Sequence, residues 1–181
     1  MSAIRLFFAL WPSPPLAASL AEWAQAARLH GGGRVMRTET LHLTLAFLGP
    51  VDAQLADTLA AATPYRCVPP GELELDRYGV FKRQRILWAG PREVGLGEAP
   101  APLQAIHDGL WQWLAGYGLA APPQPFRPHV TLLRNIERDD PPPPPPDPLI
   151  WRYDRLVLVA SESQTGGSRY RIVAQSRPLS P

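Results

Sequence analysis

The chain has 181 residues, enough for one ordinary domain or for two small lobes around a substantial core. With 45% hydrophobic and 19% charged residues, the composition excludes a disordered protein, and a formal net charge of +2 argues against a long basic track for nucleic acid while it allows a local basic surface. The single cysteine, Cys67, excludes an intramolecular disulfide.

The N-terminal segment predicts a strand and then a helix. The stretch "IRLFFALW" is apolar and rich in aromatic and branched residues, and Pro12 stops it, so it indicates a buried strand that is too short for a secretory signal. Ser13 is placed to cap an alanine-rich helix, which the glycines from Gly31 end. No stretch of the sequence reaches the roughly 18 apolar residues of a membrane span. We therefore expect a cytoplasmic protein.

A second strand and a second helix follow. We predict the strand in "TLHLTLAFLG", ended by Gly49 and Pro50, and the helix in "VDAQLADTLAAATP", capped by Asp52 and terminated by Pro64. Alternating apolar residues then predict strands in "GELELDRYGVF" and "QRILWAG", which we expect to form an antiparallel pair.

The second half of the chain repeats this theme. An amphipathic helix is predicted in "PLQAIHDGLWQWLAGYG", followed by a strand in "HVTLL" and by two strands, "RYDRLVLVASES" and "SRYRIVAQS", around a "QTGG" turn. The run "DDPPPPPPDP" at 139–148 predicts a loop, because consecutive prolines lack the amide donors that a helix or a sheet requires. We interpret this loop as a surface connector rather than a docking site.

Two of the four histidines occur in the same context, in "HLTLAFLG" and in "HVTLLRNI", 87 residues apart. This interval is too long for a solenoid repeat, and it suits a duplicated α+β lobe in which each copy offers one strand to a shared cleft. We therefore predict a single bilobal α+β domain over residues 1–181, with its functional site between the lobes.

The repeated motif places His42 beside Thr44 and His129 beside Thr131. Side chains alternate along a strand, so each imidazole shares one face with a hydroxyl. Imidazole, with a pKa of roughly 6.5, donates or accepts a proton near neutrality, and two facing imidazoles form an acid and base pair. A threonine hydroxyl can donate to a non-bridging phosphate oxygen. The pattern therefore predicts an acid–base site for a phosphate.

Simpler explanations compete with this interpretation. A lone histidine is most often structural, and we interpret His30, before the glycine triplet, and His107, within a helix, in that way. Threonine is also common in strands for packing reasons alone. Metal binding is an alternative, but no third ligand accompanies the two motifs, and we predict neither a metal nor a cofactor. The sequence has neither the Gly-x-Ser-x-Gly of serine hydrolases nor the Gly-Lys-Ser/Thr of nucleotide-binding loops.

The sequence resembles a known family. The pair "HLTLAFLG" and "HVTLLR", the opening "RLFFALWPS" and the segment "PFRPHVTLLR" are similar to the two-histidine phosphoesterase superfamily, and most of all to its bacterial and archaeal RNA 2',3'-cyclic phosphodiesterases, once called 2'-5' RNA ligases. The resemblance covers nearly the whole chain. It implies two pseudo-symmetric lobes of antiparallel sheet with helices outside and an active-site cleft between them. It also implies metal-independent hydrolysis of RNA 2',3'-cyclic phosphate ends to 2'-phosphates.

Residue roles follow from the resemblance by matching positions. It implies His42 and His129 as the catalytic pair, with His129 as the general base and His42 as the general acid. Thr44 and Thr131 match phosphate ligands.

Three further residues are weaker candidates. Arg134, five residues after the second histidine, matches a phosphate-binding arginine, and Phe47, five after the first, matches an aromatic platform for a base. An offset of five is out of phase on a regular strand, so both side chains reach the cleft only through a bend, a bulge or a strand end. Arg127 is a candidate for the mouth of the site.

We expect RNA ends or short oligonucleotides with a 2',3'-cyclic phosphate as partners, no membrane, and a monomer. Two other functions stay open. One is 2'-5' RNA ligation by the reverse chemistry, which requires a second RNA end to be held, and the other is non-catalytic binding of RNA phosphate ends. The two intact motifs argue against binding alone.

Overall fold

A computed structural model describes residues 4–92, 99–143, 145, 147–164 and 167–179. The first half of the chain forms β1 (Ile4–Leu10), α1 (Pro14–Gly31), β2 (Arg34–Val35), β3 (Leu43–Val51), α2 (Ala53–Ala62), β4 (Gly71–Leu75), β5 (Arg77–Phe81) and β6 (Ile86–Gly90). The second half forms α3 (Ala101–Ala115), β7 (Val130–Arg134), β8 (Leu149–Tyr153), β9 (Val157–Gln164) and β10 (Gly167–Gln175). None of the described helices is both long and apolar enough to cross a membrane.

One antiparallel sheet runs through both lobes in the order β10-β9-β1-β3-β7-β6-β5. The two strands at its centre share the fewest paired positions, because β3 pairs with β7 only at Leu43, opposite Val130. Further along the same edge of β7, β2 takes the place of β3 and pairs Arg34 with Arg134. The two strands that follow the predicted catalytic histidines therefore meet once and then separate, which opens a cleft in the middle of the sheet.

The cleft divides the sheet into two lobes. The first lobe contains β10, β9, β1 and β3, with α2 and α3 packed against it, and the second contains β7, β6 and β5, with α1 packed on β2, β7 and β8. Strands β4 and β8 form a separate two-stranded antiparallel sheet. This is the bilobal α+β fold that the sequence predicts. The lobes are not successive halves of the chain, because β9 returns to pair with β1.

The apolar first strand is buried on both faces. Leu6 and Phe8 pack into the main core, whereas Phe7 packs with Val157 and Val159 in a smaller cluster on the other face of the sheet. Burial on both faces explains the unbroken apolar run "LFFAL", which follows the exposed Arg5. It also places one phenylalanine of the run on the face that carries the cleft.

Both predicted helix caps are confirmed. The Ser13 hydroxyl accepts from the Leu16 amide at 3.4 Å, and the Asp52 carboxylate accepts from the Leu55 amide at 2.8 Å. These caps fix where α1 and α2 begin.

Several predicted boundaries are wrong. Strand β3 continues through Pro50 to Val51, because beyond Leu43 it pairs with β1 on one side only, and a proline is tolerated in an edge strand. The segment "GELELDRYGVF" is two strands, of which β4 pairs with β8 and only β5 pairs with β6. The segment "RYDRLVLVASES" likewise breaks between β8 and β9. The described residues of 139–148 form neither helix nor strand, and the tip of the predicted "QTGG" turn, 165–166, lies outside the described residues.

Candidate active site

Each predicted catalytic histidine lies one residue before its strand, His42 before β3 and His129 before β7. The Nδ1 atom of His42 lies 2.7 Å from the carbonyl oxygen of Thr40, and Nδ1 of His129 lies 2.7 Å from the carbonyl oxygen of Arg127. A carbonyl oxygen only accepts, so Nδ1 carries the proton in both neutral rings, and Nε2 is the basic nitrogen. The two motifs thus hold their imidazoles by the same bond to the residue two positions earlier.

The cleft holds a pocket of about 300 Å³. Six of the seven site residues predicted from the sequence line it: His42, Thr44, Phe47, His129, Thr131 and Arg134. Arg127 instead lines a neighbouring groove, and it takes part in the site through its backbone carbonyl.

Bulges bring Phe47 and Arg134 into the pocket. The pairing of β3 with β1 skips Leu45, and the pairing of β7 with β6 skips Leu132. An extra residue shifts the alternation of side chains by one, so the side chain three positions after each threonine returns to the threonine's face. Of the bend, bulge or strand end that the sequence predicts for these residues, the structure shows a bulge in both strands, and Arg134 is also the last residue of β7. The two bulged leucines are 87 positions apart, as the histidines are.

The surroundings of His42 are aromatic on three sides. The Trp11 ring stacks almost parallel to the imidazole at 5.4 Å between centroids, and the Phe7 ring lies at 4.8 Å. The Tyr170 ring meets the imidazole edge-on at 5.3 Å. These rings exclude water from the imidazole and restrict its rotation.

His129 has fewer aromatic neighbours. The Phe81 ring meets it edge-on at 4.8 Å, and the Trp88 ring lies at 6.2 Å. Gly79, opposite Trp88 in the sheet, is required for this packing, because a Cβ there would overlap the Trp88 ring.

Burial lowers the pKa of His42 from its ordinary value of 6.5 to about 4, although the bond to the Thr40 carbonyl acts in the opposite direction. The nearby charges of His129 and Arg134 lower it further. Burial also lowers the pKa of His129, opposed by the bond to the Arg127 carbonyl and assisted by the charge of Arg134. In the free protein both imidazoles are therefore neutral at pH 7.

Among the donors that line the pocket without a hydrogen-bond partner in the described part of the chain are the hydroxyls of Thr44 and Thr131 and the guanidinium of Arg134. Arg134 ends β7, and the chain then turns through Asn135, which has a φ of 57°. Arg85 holds this turn by donating twice to the Ile136 carbonyl, at 3.0 and 2.8 Å. The free donors and the two imidazoles together suit a tetrahedral anion.

The phenylalanine of the site lies at the rim of the pocket. Phe47 is 53% exposed, and the Arg5 guanidinium lies 5.7 Å from the centre of its ring. An exposed ring beside a phosphate site offers a surface on which a nucleobase can stack.

Comparisons with known proteins agree with this geometry. Residues 12–162 match the family model described as the 2'-5' RNA ligase superfamily. The chain belongs to this superfamily. It is 31% identical over 168 residues to the RNA 2',3'-cyclic phosphodiesterase of Escherichia coli, covering 92% of each chain. It is 29% identical over 177 residues to the protein of the same name from Thermus thermophilus, covering 94% of this chain and 88% of the relative.

Solved structures of the superfamily share the fold. The crystal structure of E. coli LigT complexed with 3'-AMP is 30% identical, covers 96% of this chain and 97% of its own, and has a TM-score of 0.82. A structure described as a phosphoesterase is also 30% identical over 96% of this chain and 97% of its own, with a TM-score of 0.83.

No group of three or more histidine, cysteine or acidic side chains in the described part of this superfamily member is placed to hold a metal ion. The two histidines of the pocket have hydroxyls, a guanidinium and aromatic rings as neighbours, rather than carboxylates. These residues do not fit a metal centre.

The sequence motifs miss several residues of the pocket. Trp11 and Tyr170 enclose His42, yet they come from the end of the first strand and from the last strand of the chain. Ser161 and Ser168 also line the pocket. No local pattern marks these residues: the β1–β3 pair brings Trp11 beside the histidine, and the return of β9 and β10 to β1 brings Tyr170, Ser161 and Ser168 near it.

His30 and His107 lie outside this pocket. The His30 ring is 3.1 Å from an oxygen of Asp140, and it lies in the last turn of α1. The His107 ring is 2.8 Å from an oxygen of Asp108 and stacks on Phe126 at 4.1 Å. Each has a partner of its own, in agreement with a structural role.

Proposed function

We propose that this chain hydrolyses RNA 2',3'-cyclic phosphate ends to 2'-phosphates, with His42 and His129 as the acid and base and without a metal. One observation carries this proposal. In both lobes the same Nδ1 hydrogen bond to a backbone carbonyl leaves Nε2 of the histidine available to one pocket, beside two free threonine hydroxyls and Arg134. The names of the E. coli and T. thermophilus relatives support the substrate.

The reaction is an in-line displacement at phosphorus. Water attacks from the side opposite O3', and His129 Nε2 takes its proton as the new P–O bond forms. The P–O3' bond breaks, and His42 Nε2–H gives its proton to O3', so the phosphate stays on O2'. Proton transfers in the reverse direction through solvent return both imidazoles to their starting state.

The non-bridging oxygens gain negative charge in the transition state. The hydroxyls of Thr44 and Thr131 and the guanidinium of Arg134 are donors that need not break another protein hydrogen bond in order to stabilise this charge. A guanidinium can bind two phosphate oxygens at once, which also orients the group.

In the free protein, the lowered pKa values of both histidines leave the proposed base ready to act, whereas the proposed acid must first be protonated. His129 is neutral at pH 7 and ready to accept a proton. His42 must first gain one, against a pKa of about 4. The bound phosphodiester supplies a negative charge beside the ring, which offsets the charge of Arg134 and favours the protonated imidazole.

Turnover of adenosine 2',3'-cyclic phosphate in excess EDTA tests this function. We expect hydrolysis to continue in the chelator, because two imidazoles supply both proton transfers. Chromatography against authentic 2'- and 3'-phosphates should show adenosine 2'-phosphate. The His30→Ala variant is the matched control, since this histidine lies outside the pocket.

Three results would contradict the proposal. Loss of activity in EDTA with recovery on adding a divalent ion contradicts the metal-free mechanism. A 3'-phosphate product contradicts the regiochemistry. Binding of the cyclic phosphate without any turnover would indicate that the protein binds RNA phosphate ends without catalysis.

A further inference from the structure

The histidine pocket opens into two neighbouring cavities of opposite character. One is a groove of about 570 Å³, which we call the aromatic groove, with Phe81, Trp111 and Phe126 among its walls. The other is a cavity of about 300 Å³, which we call the arginine pocket. The residues that line the arginine pocket are Arg34, Met36, Arg37, Thr40, Arg134, Ser168 and Tyr170.

The arginine pocket is continuous with the catalytic one. The two cavities share Met36, Thr40, Arg134, Ser168 and Tyr170. The aromatic groove is continuous with it on another side, where both are lined by Thr44, Phe47 and His129. A ligand held by the two histidines therefore has a cationic cavity and an aromatic groove within reach.

The arginine pocket carries uncompensated positive charge. Arg34 and Arg134 are direct cross-strand partners in the β2–β7 pair, and like charges in that relation destabilise a sheet. Among the residues that the structure describes, neither guanidinium has a carboxylate within ion-pair distance. One monoanionic phosphodiester at the histidines leaves the second of these charges without a counterion.

A third guanidinium is held at the same cavity. Arg37 donates to the Ser168 carbonyl at 2.7 Å, which ties it to the start of β10, and its only carboxylate neighbour in the described residues is Glu39, at 3.5 Å in an exposed pair. Exposed ion pairs of this kind are weak, so Arg37 is available to a stronger anion.

The covalent structure of a nucleotide matches these two openings. In a 2',3'-cyclic phosphate the base is attached at C1', on the side of O2', and the 5'-phosphate is attached through C4', on the side of O3'. The base and the 5'-phosphate therefore leave the cyclic phosphate in opposite directions. Aromatic surfaces bind bases by stacking, and arginines bind phosphates.

We propose that the arginine pocket binds the phosphate on the 5' side of the terminal nucleotide, with Arg34 and Arg37 as its ligands beside Arg134. The proposal rests on the proposed function and adds a direction to it: O3' faces the arginine pocket and the base faces the aromatic groove. Two residues of the arginine pocket, Thr40 and Tyr170, contact His42, whereas His129 lines the aromatic groove. This direction places O3' on the side of the proposed general acid.

Two substrates that differ by one phosphate test the pocket. We compare kcat/KM for adenosine 2',3'-cyclic phosphate with that for its 5'-phosphorylated form, at one fixed ionic strength because phosphate contacts are salt-dependent. For the wild type we expect the 5'-phosphate to raise kcat/KM by roughly tenfold or more, the effect of a hydrogen bond between charged groups. In Arg34→Gln and in Arg37→Gln this ratio should fall towards one.

The matched control is Arg169→Gln. Arg169 lies on β10 between Ser168 and Tyr170, but it is exposed on the opposite face and lines neither cavity, so its variant should keep the wild-type ratio. The thermal midpoint of the free Arg34→Gln protein should not fall, because the substitution removes a repulsion with Arg134.

The outcomes separate this inference from the proposed function. Equal kcat/KM for the two substrates in the wild type overturns the subsite and leaves the hydrolysis in place, and so does an Arg169→Gln variant that loses the ratio as Arg34→Gln does. If neither substrate turns over, the proposed function fails, and calorimetric binding of adenosine 2'-phosphate and adenosine 2',5'-bisphosphate decides the subsite. Tighter binding of the bisphosphate that Arg34→Gln abolishes supports it, and equal binding overturns it.

Discussion

The two strands that leave the cleft present the same groups for two positions and then differ. Each lobe offers a histidine held by the carbonyl two residues earlier and then a threonine with a free hydroxyl. Three residues after the threonine, across a bulge, the first lobe has Phe47 and the second has Arg134. Under the proposed function, the matched positions would serve the two sides of phosphorus, and the unmatched position would distinguish the two ends of the substrate.

The lobes also differ in how they enclose their imidazoles. His42 stacks on Trp11 and is bordered by Phe7 and Tyr170, whereas His129 contacts only Phe81 and Trp88 among the described aromatic rings. Near-symmetric backbones can therefore hold two chemically different histidines. Under the proposed function, the pseudo-symmetry would place one proton transfer on each side of phosphorus, and the different surroundings of the two rings would distinguish the acid from the base.

We expect the largest effect from substituting either of the two matched histidines. We expect His42→Ala and His129→Ala each to lower kcat by roughly 10²- to 10⁴-fold, the usual contribution of a general acid or base. Single-turnover assays on adenosine 2',3'-cyclic phosphate measure this loss. A variant with less than a tenfold loss would show that its lobe supplies no proton transfer.

The next effect concerns the arginine of the second lobe. Arg134→Lys keeps the charge but loses the planar, two-pronged contact, so we expect kcat to fall by roughly tenfold, as for the loss of one hydrogen bond to a charged group. Steady-state kinetics on the same substrate measure the change. Unchanged kinetics would assign Arg134 the role of a general positive charge and remove its geometric part in the site.

A smaller effect is expected at the equivalent position of the first lobe. Phe47→Ala removes an exposed stacking surface that is worth about 1 kcal/mol or more for one base, so KM should rise by roughly fivefold while kcat changes little. Phe47→Tyr keeps the ring and is the matched control. A fall in kcat with unchanged KM would place Phe47 in the catalytic step instead of in base binding.

The smallest expected effect is the influence of the Arg134 charge on the pKa of the histidine in each lobe. Because the positive charge of Arg134 lowers the pKa of both histidines, Arg134→Gln should raise both pKa values, which an NMR titration of the imidazole resonances measures.

The lowered pKa values also predict the direction in which the pH optimum of activity shifts. A general acid with a lowered pKa loses its proton as the pH rises, so the optimum of kcat/KM should lie below pH 6.5. An optimum above that value would contradict the buried imidazoles.

The sequence predicts the symmetric part of the site better than the rest. Short motifs identify His42, Thr44, His129 and Thr131, because alternation along a strand is a local property. The need for a bend, a bulge or a strand end before Arg134 is also visible, since an offset of five is out of phase. Where the extra residue lies depends on the pairing with a neighbouring strand, and no local pattern fixes that register.

The asymmetric part depends on long-range topology. Tyr170 reaches His42 because β9 and β10 return to β1, and Arg34 reaches Arg134 because β2 pairs with the edge of β7 that β3 leaves. The separation of "GELELDRYGVF" into β4 and β5 has the same origin, since β4 finds its partner in β8. Periodicity predicts that a strand exists, but it carries no information about a partner some 80 residues away.

We propose that the two lobes divide the proton transfers, with His42 as the acid at O3' and His129 as the base at water. A nucleoside 2',3'-cyclic phosphate with sulfur in place of the 3'-bridging oxygen tests this most directly, because a thiolate leaves without needing a proton. Relative to the wild type on each substrate, we expect the sulfur to restore most of the activity that His42→Ala loses and none of that lost by His129→Ala. Rescue of His129→Ala instead of His42→Ala would show that His129 is the acid and His42 the base.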